Sequence, residues 1–416
     1  MLYFDHNATS PLHPAARDAW LTASERFIGN PSSLHRIGSR ADAALSEARQ
    51  KLAALLGCDA LDLVFTSGAT ESANTVFHHA ARTLPPDAEV WLSAIEHPCV
   101  TAAARHYFPN RHRLIPVTRD SVVDLKWLRA ALRRRRGKEA TPNFQLSAFN
   151  PQPSPPPPHL GGYPGLLAVM AVNNETGVLQ PVSELQRLCR THGIPFFCDA
   201  VQALGKLLAA GLGDCDWVSG SAHKFGGPRG VGFLKCPAKG RVEPLLHGGS
   251  QEEARRAGTE NVAGILAMVA ALELRNGART PTSAAASSLV ADVGVRAPLR
   301  DAFERQLRKA LPGTQIIGAK SPRVWNTTLA LLPEADCRVR WVVKLDKLGV
   351  AVSTGSACAS GKEEPSPVLT AMGYTPSEAA RALRFSAGWE TTEADWQQLL
   401  AALQQAHREM LPARRK

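Results

Sequence analysis

The sequence predicts an α/β protein with a second, smaller α+β part. Short apolar runs alternate with helix-compatible stretches through the first two-thirds of the chain. At 416 residues the chain exceeds what one compact core of ordinary size serves. From about Asn261 onward the helical patterns lengthen and become alanine-rich.

Leu61–Phe65 and Val90–Ser93 read as strands, followed by Gly165–Val172, Ile194–Cys198 and Val231–Leu234. Between them Ser39–Leu56 and Val182–Thr191 carry helical periodicity, and Ser72–Ala81 is helix-compatible. Such alternation places helices on the faces of a sheet. Strands recur at Asn326–Leu332 and Leu383–Ser386. The expected division is residues 15–260 for the large part, and 1–14 with 261–416 for the small one. An insertion at about 137–164 contains Asn150-Pro-Gln-Pro-Ser-Pro-Pro-Pro-Pro-His159, which suits neither a helix nor a strand interior. An extended surface loop is expected there.

The apolar fraction of 44% is that of a soluble globular protein, and no apolar run is long enough to span a membrane. The segment Met1-Leu-Tyr-Phe-Asp-His6 has no basic stretch leading into an apolar one, so a cytoplasmic location is expected. Eight cysteines are scattered without Cys-x-x-Cys pairs, which argues against a disulfide framework. Cys189, His192 and Cys198 suit a helix end and a buried strand, so no metal site is expected. The net charge of +11 is concentrated in runs such as Arg133–Arg136 and Arg414-Arg-Lys416. No aromatics interleave with those runs, so solvated surface is favoured over nucleic-acid binding.

Four features carry chemistry. Lys224 lies among small residues in Ser219-Gly-Ser-Ala-His-Lys224-Phe-Gly-Gly, a setting that buries an amine and frees it to form a Schiff base. Asp199 ends an apolar strand, where a pyridinium nitrogen finds its partner; lysine and aspartate together are the minimal equipment for pyridoxal phosphate. Thr66-Ser-Gly-Ala-Thr-Glu-Ser72 turns from a strand into a helix, presenting backbone N–H groups to a phosphate. Cys358 sits in Val352-Ser-Thr-Gly-Ser-Ala-Cys358-Ala-Ser-Gly361, a run of small residues that exposes a candidate nucleophilic thiol. His97, directly after a strand, is placed to stack on a flat ring and move protons. Arg384 offers a fork for a substrate carboxylate.

These motifs, with Tyr3-Phe-Asp-His-Asn-Ala-Thr9, Gly29-Asn-Pro-Ser-Ser-Leu-His35, Asn173-Asn-Glu-Thr-Gly177 and Arg256-Ala-Gly-Thr-Glu-Asn261, run in order over nearly the whole chain. The sequence thereby resembles the cysteine desulfurases of the nitrogen-fixation and iron–sulfur-assembly type, within the class V aminotransferase superfamily. The resemblance implies the pyridoxal-phosphate-dependent transferase fold type I, with a mostly parallel seven-stranded sheet. It implies that Lys224 is the Schiff-base lysine, Asp199 the partner of the pyridinium nitrogen, and Gln202 a hydrogen-bond partner of the ring phenolate. His97 would stack on the ring; Ala69, Thr70, Ser221 and His223 would bind the phosphate. Thr259 would complete that site from the second subunit of a homodimer. Asn174 and Arg384 would bind the carboxylate of L-cysteine, and Cys358 would take its sulfur as a persulfide for an acceptor protein.

Three departures stand out. Ala222 replaces the family's usual glycine between Ser221 and His223, Gly248-Gly-Ser-Gln-Glu-Glu-Ala-Arg-Arg256 differs from its glycine-rich stretch, and the proline-rich insertion is unusual. Two alternatives share the fold: a selenocysteine lyase, and an aminotransferase or kynureninase-like lyase that needs no thiol.

Overall fold

A computed structural model describes residues 1–134, 164–237, 242–276, 297–333, 338–355 and 365–410. The proline-rich stretch and Cys358 lie outside those residues.

The chain begins with β1 (Leu2–Tyr3), α1 (Pro14–Arg26) and α2 (Arg36–Leu56). There follow β2 (Leu63–Thr66), α3 (Ala69–Thr83), β3 (Glu89–Ser93), α4 (Pro98–Tyr107), β4 (His112–Ile115) and α5 (Leu125–Arg134). Next come β5 (Pro164–Ala168), α6 (Val182–His192), β6 (Phe196–Asp199), β7 (Trp217–Ser221) and β8 (Gly232–Lys235). After α7 (Val262–Asn276) and α8 (Ala297–Ala310) come β9 (Gln315–Ile316), β10 (Thr327–Leu331), α9 (Arg338–Lys347) and β11 (Val350–Ala351). The short helices α10 (Pro367–Ala371) and α11 (Pro376–Ala379) precede β12 (Ala382–Ser386) and α12 (Glu393–Met410).

The large sheet has seven strands in the order β2-β8-β7-β6-β5-β3-β4. Its pairings are parallel except where β8 inserts between β2 and β7. Successive residues point to opposite faces, and the burial follows that period of two. Leu63, Phe65, Phe196, Cys198 and Phe233 enter one core with α2 and α7, while Val64, Phe197, Trp217 and Leu234 enter the other with α3 and α4. Helix α2 buries Ala41, Leu45, Ala48, Leu52 and Leu56 at helical spacing and ends on Gly57 in the left-handed region. Helix α7 starts just past residue 260, and its Ile265, Met268 and Leu272 belong to the first of these cores.

The expected strands are present, with ends displaced by one to four residues. Two strands of the large sheet, β4 and β7, were not expected, nor were the two-residue strands β1, β9 and β11. The run Trp217-Val-Ser-Gly-Ser221 is buried throughout yet rich in small polar residues, and β4 is a polar edge strand. Neither has the apolar run that marks a strand in sequence.

A three-stranded antiparallel sheet, β12-β10-β9, lies with α8, α9 and α12 over a separate core that includes Trp341, Phe385 and Leu399. The N-terminal β1 pairs in parallel with β11, so the first residues of the chain join this second body.

Close approach at the top of the large sheet depends on Gly232. A Cβ there would lie 2.5 Å from the Gly220 carbonyl oxygen and 2.6 Å from the Gly68 Cα. Backbone cannot retreat as a flexible side chain does, so Gly232→Ala is expected to cost about 1–3 kcal/mol. Denaturant unfolding of the two proteins checks this, and an unchanged midpoint would refute it.

Candidate active site

The carboxyl ends of the parallel strands surround a cavity of about 460 Å³, the position at which open α/β sheets hold ligands. Nine residues expected from the sequence line it: Ala69, Thr70, His97, Asn174, Asp199, Gln202, Ser221, His223 and Lys224. Strand β7 ends at Ser221 and passes into a single 3₁₀ turn, Ala222–Lys224, that carries the lysine. Lys224 Nζ donates to the main-chain oxygens of Asn7 at 2.8 Å and Ala8 at 2.9 Å. The segment after Asn7 follows the same turn, with Ser10 N donating to His223 O and His13 N to Gly226 O.

Asp199 closes β6 and is 6% exposed; its Oδ1 accepts from Val201 N at 3.0 Å and from Ser219 Oγ at 3.3 Å. Burial pushes its carboxyl above the ordinary range, opposed by His97, by these two hydrogen bonds and by Lys224. His97 caps α4, its Nδ1 accepting the backbone N–H of Cys99 at 3.2 Å, with the Cys99 thiol 3.0 Å away. An accepting Nδ1 puts the proton of the neutral ring on Nε2. Burial lowers the imidazole's pKa, Asp199 opposes this, and Lys224 adds to it.

At the other end of the cavity Ser67, Gly68, Ala69 and Thr70 form the start of α3. Gly68 has φ of 152°, and no side chain caps this helix, so its first N–H groups face the cavity free of a capping oxygen. Glu71 accepts from Ser67 N at 2.8 Å and is paired with Arg256 at 2.9 Å. His223 Nδ1 lies 3.1 Å from Thr9 Oγ1. Ala222 is fully buried in the core beneath and does not line the cavity, so its methyl group leaves the anion end clear.

Asn174 Oδ1 is buried without a hydrogen-bond partner. Arg384, 1% exposed, stands behind this wall and not in it. Its Nη2 pairs with Asp5 Oδ1 at 2.7 Å, and its Nη1 reaches the carbonyls of Asn174 and Gly355, each at 3.0 Å. Thr259 lines a smaller pocket of about 180 Å³, which shares Ser67 and Gly230 with the main cavity. Cys358 lies outside the described residues; on either side of it in sequence, Gly355 is bound to Arg384 and Ser366 to Glu175. Ser366 Oγ donates to Glu175 Oε2 at 2.6 Å.

The sequence did not mark Asn7, Cys99, Lys206 or Arg229 as functional. Among the described residues no cluster of three or more His, Cys, Asp or Glu is arranged to hold a metal. Burial pushes the Cys58 thiol up to about 11 and that of Cys236 to about 12, and raises that of Cys189; Cys198 is raised by its hydrogen bond with Cys215 and then by burial.

Residues 2–137 and 150–399 match the family described as "Aminotransferase class-V". The chain belongs to the class-V aminotransferase family. Within this family it is similar to a cysteine desulfurase of Klebsiella pneumoniae, 36% identical over 97% of this chain and 91% of the relative. A cysteine desulfurase of Cereibacter sphaeroides is 36% identical over 97% of this chain and 94% of the relative. A NifS-like protein structure from Rickettsia africae superposes with a TM-score of 0.79 at 26% identity, covering 98% of this chain and 99% of that one. This class-V aminotransferase therefore has the fold expected from its sequence, and its relatives identify it as an enzyme of the cysteine desulfurase group.

The surroundings of His223 generate a pH prediction. Burial, reinforced by Lys224 and Arg229, lowers its pKa to about 4. The unfolded chain takes up a proton below about pH 6.5 that the folded one refuses, so this residue costs stability as the pH falls from 6.5 toward 4. NMR titration of the His223 ring in the cofactor-free protein should give a midpoint near 4, and an ordinary midpoint near 6.5 would refute the burial.

Proposed function

We propose that this chain is a pyridoxal-phosphate-dependent cysteine desulfurase that converts L-cysteine to L-alanine and leaves the sulfur as a persulfide on Cys358. The observation that carries this reading is the convergence on one cavity of the Lys224 amine, the buried Asp199 carboxyl and the open N-terminus of α3. The fit to the cofactor is chemical. A carboxyl whose ionisation burial opposes calls for a cationic partner, an uncapped helix start calls for an anion, and a half-buried lysine supplies the amine.

On this reading Lys224 holds the cofactor's carbonyl carbon, Asp199 its ring nitrogen and Gln202 its phenolate oxygen. Ala69, Thr70, Ser221 and His223 hold the phosphate, with Thr259 of a second copy completing that end, and His97 covers the ring. When bound, pyridoxal phosphate supplies an electron sink that labilises bonds at the substrate's Cα and Cβ. Asn174 and Arg384 orient the carboxylate of L-cysteine. Lys224 Nζ, once released to act as a base, would take the proton from the substrate's Cα and return one there before alanine leaves, with the His97 ring assisting the proton transfers. The Cys358 thiolate attacks the substrate sulfur, so an S–S bond forms as the Cβ–S bond breaks. The electron pair stays on Cβ, which is protonated to give alanine.

A homodimer is supported by the apolar side chains that one stretch leaves in solvent: Leu21, Ile28 and Ile37 are exposed, and Leu34 is 100% exposed. The persulfide is then passed to an acceptor protein. Among the described residues no helix is long and apolar enough to cross a membrane. The six described cysteines are free thiols, which suits the reducing cytoplasm.

Incubation of the purified protein with L-cysteine should release alanine, with sulfide in the presence of a reductant. Cys358→Ala should reduce this to background while retaining the visible absorbance of bound cofactor, and Lys224→Ala should lose both. Cys99→Ala, which removes a thiol that lines the cavity, should stay within about tenfold of wild type. Undiminished alanine formation by Cys358→Ala would overturn the thiol mechanism.

A further inference from the structure

Lys206 is a fully buried amine that the reaction as described does not use. It lies four residues beyond Gln202, where the backbone folds back tightly through Gly205, with φ of 73°. A Cβ on Gly205 would meet the Phe225 Cβ at 2.4 Å, so only glycine lets the chain pass there. The Lys206 carbonyl is held by Trp325 Nε1 at 3.1 Å. With its backbone fixed on both sides, the side chain is directed inward. Its Nζ donates to Asn7 Oδ1 at 2.9 Å and to Gln202 Oε1.

We propose that Lys206 is a positioning residue that fixes the orientation of the Gln202 amide and of Asn7, and through them the cofactor-facing side of the site. The reasoning is one of donors and acceptors. A glutamine amide flips at little cost unless one end is committed. Here Oε1 is committed to Lys206, so the Gln202 nitrogen must be the other end. One of its two protons goes to the Asn7 carbonyl at 2.9 Å, which leaves one donor for the cavity that Gln202 lines. The same Asn7 carbonyl accepts from Lys224 Nζ, so Lys206 steadies the carrier of the lysine as well.

An uncharged amine suits this task. It has two protons for two acceptors, whereas an ammonium would carry a third with no acceptor against it. Burial drives the Lys206 pKa well below its ordinary value, with Lys224 and Arg384 adding to the shift. Burial therefore opposes a further fixed cation beside Lys224, while the two hydrogen bonds orient the partners.

This inference rests on the proposed role of Gln202 toward pyridoxal phosphate, and the test separates the two. Wild-type holoenzyme is compared with Lys206→Met, Gln202→Ala and the double variant. The readouts are the visible absorbance of the bound cofactor against pH and alanine formation from L-cysteine. Lys206→Met should keep the cofactor, move the midpoint of the absorbance titration in the direction that Gln202→Ala moves it, and slow turnover about tenfold, the effect of one lost buried hydrogen bond. The double variant should match Gln202→Ala alone. A midpoint that moves in Gln202→Ala but not in Lys206→Met overturns the positioning role and leaves the functional reading intact. An unmoved midpoint in Gln202→Ala, or a wild type without visible absorbance, overturns that reading and this inference with it. Lys206→Gln keeps an uncharged donor and should hold the wild-type midpoint. A shift there equal to that of Lys206→Met, or loss of the fold in both Lys206 variants, would assign Lys206 a structural role only.

Discussion

The lysine side of the active site leans on Asn7, a residue 2% exposed near the start of the chain. Its carbonyl accepts from Lys224 and Gln202, which belong to the large sheet. Its Oδ1 accepts from Lys206 and Asn326, and its Nδ2 donates to Asn174 O and Thr327 Oγ1. Its own N–H donates to Ser386 Oγ. One buried asparagine thus ties the N-terminal segment, the floor of the cavity and strands β10 and β12 into a single network. Each of these groups, left unsatisfied, would cost about 1–3 kcal/mol.

Around this network, burial keeps surplus charge out of the site. Glu96 lies behind the cavity, its Oε1 accepting from Met170 N at 2.8 Å and its Oε2 without a hydrogen-bond partner. Burial holds its carboxyl well above the ordinary range, and Asp199 reinforces this. Burial thus opposes a second negative charge near Asp199 and a second positive one near Lys224. What is left facing the cavity is a small set of groups with opposed tendencies: a carboxyl short of a cation, an amine, and a helix start short of an anion.

Much of this was legible in the sequence because the chemistry is local there. Lys224 follows Ser221-Ala-His223 on one turn, Asp199 and Gln202 share another, and Thr66 to Ser72 spans one strand-to-helix junction. The α/β class followed from apolar runs that the sheet does bury on both faces. Asn7 and Lys206 were not legible, since they act through contacts nearly 200 residues apart and the composition around them marks no site. Strand β7 was missed for a related reason. Its last three residues, Ser219-Gly-Ser221, are small, with Gly220 directly against the Phe233 ring, so it lacks the apolar run of an ordinary strand.

Arg384 shows why the location of a residue does not by itself define what it holds. Its guanidinium is engaged by Asp5, Asn174 and Gly355, and only Nε lacks a partner. A carboxylate that takes the guanidinium side-on needs Nε together with Nη2, and Nη2 is the nitrogen now held by Asp5. On the proposed reading substrate and Asp5 compete for the same edge, and arrival of the substrate trades one ion pair for another that also satisfies the orphaned Nε. The remaining edge stays on the carbonyls of Asn174 and Gly355. One rigid cation thus joins the substrate position to the backbone entering the Cys358 segment. On the proposed reading that backbone leads within three residues to Cys358, the thiol that takes the sulfur.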